Sequence, residues 1–258
     1  MFKKKKITLK SLNKFNLIMA GLHALQALVI VIIATDFKLP VKTGYIVFNE
    51  ATEKLEPAYT TLFDMPFVWL VVSFLVMSSL AHLIISTVYR KKYETNLKKG
   101  INKARWIEYS ISASTMMVAI GMLSGIYDFS TLLLMFSLTA GMNLMGLVME
   151  AWNQQTEKTN WLSYWIGCFL GIMPWVVYAF YLWASSNYGA AQPPTFVYFI
   201  LGSIFLMFNT FAINMYLQYK KIGRWSDYLY GEKVYIILSL VAKSLLAWQV
   251  FAGTLQPV

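Results

Sequence analysis

Charge is scarce in this chain: only 13% of its 258 residues are Asp, Glu, Lys or Arg, against 58% hydrophobic residues and a mean hydropathy of +0.53. So few charges cannot cover a water-soluble globule, and the chain reads as an integral membrane protein. Cysteine is limited to Cys168. No intramolecular disulfide can form, the redox compartment stays unmarked, and a lone thiol inside an apolar run reads as lipid- or core-facing filler. The two histidines, His23 and His82, share no helix with each other or with Glu108, so the local ligand spacing of a zinc site is missing. No hydrolytic triad, phosphate-binding glycine loop or zinc-finger spacing is present, and no enzymatic activity is expected. The internal repeat of inverted-topology transporters is not visible either.

Long apolar runs fill the chain instead. Seven are long enough to cross a bilayer as helices, at 13–35, 65–89, 106–126, 130–152, 160–184, 195–219 and 231–254. The first lacks a small-residue cleavage site and is long enough to remain as a helix, so no cleavable signal peptide is expected. The fold class is therefore all-α, a single seven-transmembrane-helix bundle over 1–258. One connection is long, from Asp36 to Asp64, and it carries five of the twelve acidic residues. Its β-branched and aromatic stretch Val41 to Phe48, polar Asn49 to Thr52 and returning Tyr59 to Leu62 predict a small hairpin. A cap over the outer face, a dimer contact or an ordinary solvated loop all suit it.

The formal charge of +10 suggests nucleic acid until its placement is read. Eighteen of the 22 basic residues lie on one side: Lys3 to Lys6, Lys10 and Lys14 before span one; Arg90 to Arg105 between spans two and three; Lys158; and Lys220, Lys221, Arg224 and Lys233 between spans six and seven. Lys38, Lys42 and Lys54 lie on the other. This asymmetry places the N-terminus in the cytoplasm and the C-terminus outside. A topogenic signal with attraction to anionic lipid headgroups accounts for the charge, and no nucleic-acid partner is expected.

The remaining basic residue, Lys243, stands alone in the uncharged run Val234 to Val258. A charged ammonium near mid-bilayer costs several kcal/mol unless paired or neutralised, so it is a functional-site candidate by default. Counted from Lys233 at about 1.5 Å per residue, it lies roughly 15 Å deep. The candidate carboxylates are Glu108, near the start of span three, and Glu150, near the end of span four, both in the inner half. A Lys243–Glu108 pair on facing helices is geometrically sensible. His23, about midway along span one, and His82, two turns before Arg90, belong to the same half. Taken on these residues alone, Lys243 suits a structural ion pair, a transport-site cation or a covalent anchor for a carbonyl cofactor. The histidines suit interhelical hydrogen bonding, a proton relay or metal ligation. Glu150 also reads as a side chain reaching the interface.

The chain resembles microbial rhodopsins, and among them heliorhodopsins. Seven spans with a lone lysine in the last match that architecture. Arg105-Trp106-Ile107-Glu108 followed by Ser112 is similar to its third-helix pattern of arginine, aromatic, any residue, carboxylate and a hydroxyl four positions on. Tyr109-Ser110 after the carboxylate, the run Ser239 to Gln249, His23 and His82, the long first outer loop and the internal N-terminus are the heliorhodopsin features. The resemblance covers essentially the whole chain. It implies all-trans-retinal bound to Lys243 as a Schiff base, with Glu108 as counterion and Ser112 and Ser239 hydrogen-bonding around it. It further implies a pocket drawing on Met142, Trp165, Pro174, Tyr178 and Phe208, and a proton-accepting polar region of His23, His82 and Glu150. Where outward proton pumps carry further carboxylates, Ser239 and Ala119 stand here. The expected function is thus a slow light sensor with all-trans to 13-cis isomerisation and no net pumping. A light-gated proton channel or weak pump, an ion-pair transporter, and a light-dependent regulator of a soluble enzyme through the basic loops are the other readings. Membrane lipids, a second copy in a homodimer and a cytoplasmic signalling partner are the expected partners.

Overall fold

A segment inside hydrocarbon must satisfy its own backbone polar groups, so each apolar run closes into a helix. The computed structural model describes residues 7–189 and 193–255. In chain order it contains α1 (Leu9–Ile33), β1 (Lys38–Asn49), β2 (Lys54–Pro66), α2 (Phe67–Ser86), α3 (Arg90–Lys98), α4 (Lys103–Leu123), α5 (Phe129–Trp152), α6 (Leu162–Tyr188), α7 (Thr195–Tyr219) and α8 (Tyr228–Val250). All of these helices except α3 are long and apolar enough to span a membrane. A π-helical turn, Phe251–Leu255, extends α8. The expected spans are all present, with ends moved by a few residues. Lys3 to Lys6 and residues 190–192 of the α6–α7 connection lie outside the described residues.

Caps set several of those ends. Thr8 and Ser11 form a capping box that starts α1, and Asp128 accepts from the Thr131 N–H at the start of α5. Asn102 caps α4 by accepting from the Arg105 N–H. That cap begins the helix before the apolar run does, so Arg105 sits in the first turn of α4 and not in a solvated connection. The basic stretch 90–105, expected to be a loop, also holds the nine-residue helix α3. Its Tyr93 and Leu97, one turn apart, are buried against Leu12, Ile85 and Ile236.

The bundle is closed by contacts of α1 with α2, α2 with α4, α4 with α5, α5 with α6, α7 with α8, and α8 with both α1 and α2. Helix α4 is the most enclosed, and α6 and α7 the least. The half nearer the hairpin is packed by Val71, Phe74, Met117, Ile120, Leu246 and Ala247. The half nearer α3 holds the aromatic cluster Trp106, Tyr109 and Tyr235. Strands β1 and β2 form the expected hairpin, antiparallel and longer than the sequence suggests, running from Lys38 opposite Pro66 to Asn49 opposite Lys54. A bulge between Val41 and Lys42 turns its base toward the α4–α5 turn, where the Lys42 N–H donates to the Tyr127 carbonyl at 2.8 Å.

Candidate functional site

Lys243 and Glu108 meet as the sequence suggests. The lysine, 3% exposed on α8, places Nζ 2.8 Å from Glu108 Oε1 on α4 and 3.1 Å from Ser239 Oγ one turn earlier on its own helix. Two unit charges at that distance attract by about 6 kcal/mol at an effective dielectric near 20, which offsets much of the cost of keeping either inside the bundle. Glu108 also accepts from Ser78 Oγ on α2 at 2.6 Å. Ser78 is not among the residues expected from sequence, where a serine in an apolar run carries no signal of its own. Ser112 stands beside Glu108 and is completely buried, yet its Oγ forms no well-made bond with a protein atom. The Lys243 ammonium lies 5.2 Å from the centre of the Tyr109 ring.

A cavity of about 110 Å³ opens beside Lys243 among α4, α5, α6, α7 and α8. Trp106, Tyr109, Met116, Met142, Phe208 and Phe211 supply its apolar and aromatic walls, and Asn143, Ser163, Cys168 and Ser239 add polar atoms. Gly146 makes this shape possible, because a Cβ there would lie 2.5 Å from the Trp106 indole. Met142 and Phe208 thus line the cavity as expected from sequence. Trp165 does not: it is 61% exposed on the outside of the bundle, and its neighbour Tyr164 points inward. One residue along a helix is a turn of about 100°, enough to exchange the two faces. Pro174 and Tyr178 are buried in α6 but lie outside the lining. Tyr178 instead donates to the Met117 carbonyl at 2.5 Å. Cys168, expected to be filler, faces the cavity.

A second, smaller cavity of about 30 Å³ lies on the α3 side of the pair, lined by Asn16, His82, Tyr93, Arg105, Glu108 and Glu232 among others. His82 Nδ1 lies 2.9 Å from Asn16 Oδ1. His23 stacks on His82 with ring centres 5.8 Å apart, and neither of its nitrogens has a protein partner. Both histidines therefore stand beside the Lys243–Glu108 pair.

Glu150 does not join them. It belongs to a buried network at the α3 end of the bundle, whose Arg105 and Glu232 line the histidine cavity while Glu150 itself does not, so neither a place beside the histidines nor a snorkelling one describes it. Its Oε1 accepts from Arg105 at 2.5 Å and from Tyr228 at 3.2 Å, and its Oε2 accepts from Trp106 Nε1 and the Asn102 N–H, each at 2.8 Å. The other arm of the Arg105 guanidinium pairs with Glu232, which also accepts from Asn102 Nδ2 at 2.7 Å. The Trp106 and Tyr235 rings flank the guanidinium, with centres 4.5 and 3.8 Å away. Arg105 is thus a structural cation and not one of the solvated topogenic charges. Glu232 is the residue sequence reasoning missed here, although its position just inside the seventh apolar run is itself the signal of a paired carboxylate.

No curated protein matches the chain. A family model described as heliorhodopsin does, over residues 12–255, from the first turn of α1 to the end of the π-helical turn after α8. The chain therefore belongs to the heliorhodopsin family, multi-pass membrane proteins of the microbial rhodopsin class that bind retinal and sense light.

Proposed function

We propose that retinal is carried on Lys243, that Glu108 is its counterion, and that the protein reports light without moving ions. The single observation behind this is the buried 2.8 Å pair at the edge of an apolar, aromatic cavity. An amine shielded from water beside one carboxylate is what a stable imine to an aldehyde requires. Bound there as a protonated Schiff base, all-trans-retinal supplies visible absorption and an all-trans to 13-cis photoisomerisation.

The chain's own groups do the rest. Glu108 balances the positive nitrogen, Ser78 and Ser239 hold the two ends of the pair, and Trp106, Tyr109, Met142 and Phe208 exclude water. When the Lys243 nitrogen gives up its proton, the groups that receive it lie on the inner side, starting with Glu108 at 2.8 Å and continuing to His82 and His23. On the outer side stand Ala119, Ile120, Leu246 and Val71, which offer no proton a path. Ser239 and Ala119 occupy positions where a pump would need carboxylates. A slow return to the dark state then leaves time for signalling. In this reading the N-terminus is cytoplasmic, anionic lipids meet the basic inner face, the outer hairpin joins two copies, and a cytoplasmic partner receives the signal.

Expression with all-trans-retinal should give a visible band that Lys243→Ala abolishes and Glu108→Gln moves to the red. A colourless wild type, or colour that survives Lys243→Ala, would overturn the assignment. Illuminated cells should show no sustained pH change, and a protonophore-sensitive one would sink the non-pumping part.

A further inference from the structure

Helix α3 lies outside the seven spans, yet a chain of polar side chains joins it to the chromophore region. Tyr93 is its buried anchor, 2% exposed, while Lys91, Lys92 and Lys98 face away from the bundle. The Tyr93 hydroxyl accepts from Asn16 Nδ2 at 3.4 Å, and Asn16 Oδ1 is the atom 2.9 Å from His82 Nδ1. Asn16 is completely buried on α1, so a single amide bridges the α2 histidine and the α3 phenol.

The chemistry of that amide fixes the direction of the chain. An amide oxygen only accepts, so His82 carries its hydrogen on Nδ1, and Nε2 is the position open to a further proton. A proton there makes the Nδ1–H···Oδ1 bond charge-assisted and therefore stronger. The polarised amide becomes a better donor at Nδ2, and the 3.4 Å bond to Tyr93 has about 0.4 Å to close before reaching ordinary length. Several charged or titratable groups face His82: His23 from α1, Tyr93 from α3, Glu108 and Arg105 from α4, and Glu232 and Lys243 from α8. When the Lys243 nitrogen loses its proton, an imidazolium at His82 loses a repulsive neighbour and keeps the attraction of Glu108.

We infer that His82, Asn16 and Tyr93 form a relay that tightens α3 against the bundle in the light state. This rests on the retinal assignment, since the proton whose N–H bond breaks at the Lys243 nitrogen is the one whose N–H bond forms at His82 Nε2. Tyr93 and Asn16 are positioning residues, and the signal is a tighter hold on a helix whose far face presents lysines.

The test is a nitroxide spin label at Lys92→Cys, with Cys168 left in place and the label-treated wild type recorded as the blank, in full-length protein reconstituted with all-trans-retinal. Illumination should lower the label's mobility, and the change should decay together with recovery of the visible band. Tyr93→Phe keeps the ring and its packing but removes the hydroxyl. It should abolish the mobility change while the visible cycle continues, and Asn16→Leu should do the same. A label that ignores light while the chromophore cycles overturns the relay. So does a mobility change that survives Tyr93→Phe, because α3 would then respond through packing alone. A preparation that takes no colour overturns the retinal assignment and the relay with it, and the visible band distinguishes that failure from the other two.

Discussion

Ser78 shows how one hydroxyl sets the strength of the central ion pair. Its 2.6 Å bond goes to Oε1, the same Glu108 oxygen that faces the nitrogen of Lys243, and withdraws negative charge from it. With retinal on Lys243 as proposed, light would move positive charge away from that nitrogen, so whatever concentrates the opposing charge would raise the energy of excitation. Ser78→Ala should therefore shift the visible band to the blue, opposite in sign to the red shift of Glu108→Gln. It should also cost about 1.5–3 kcal/mol of stability, the worth of a hydrogen bond to a charged group. Absorption spectra and thermal unfolding of the two variants side by side check both points, and a red shift in Ser78→Ala would show that the hydroxyl does not tune Glu108. Lys243 and Glu108 were readable from sequence because a charge in an apolar run is conspicuous and expensive. Ser78 and Asn16 were not, since small polar side chains cost little in a membrane helix and their importance depends on what faces them.

Among the elements, the seven spans were legible because hydrocarbon thickness demands long apolar runs, and the hairpin because alternating strand residues flank a polar turn. Helix α3 was not: its apolar stripe is only Tyr93 and Leu97, hidden in a run of lysines, and tertiary contact decides it. The start of α4 was missed for a related reason, because Asn102 caps a turn whose residues are charged. The hairpin tip is also built on polar contacts. Asn49 and Thr52 donate to Glu56 at 2.9 and 2.7 Å, and these bonds hold its carboxyl below the ordinary value of 4.5. A carboxyl lowered in the folded state adds stability that is fully present above its unfolded value and disappears as pH falls through the folded one. The turn should thus be ordered at neutral pH and loosen in acid. The Ala51 and Thr52 amides, both bonded to Asn49 Oδ1, should lose hydrogen-exchange protection as pH falls below the ordinary carboxyl value of 4.5. In Glu56→Gln that acid dependence should be absent, and its persistence would show that another group orders the turn.

For the whole molecule, the division between the two ends of the bundle is the organising fact. The Arg105, Glu150 and Glu232 network and the basic helix α3 occupy one end, and the acidic hairpin the other. Arg105 cannot count toward orientation in the ordinary way, because its charge is neutralised inside the protein. Seventeen basic residues still remain on the α3 side against three on the hairpin side, so the positive-inside preference is unchanged. The α3 end should therefore face the cytoplasm. Single cysteines at Thr52→Cys on the hairpin and Lys92→Cys on α3 provide the measurement. On intact cells a membrane-impermeant maleimide should label the first and leave the second unmodified until the membrane is opened. The reverse pattern would place the histidine cavity on the outer side, and any proton leaving Lys243 toward His82 would then move away from the cytoplasm, where a signalling partner could not sense it.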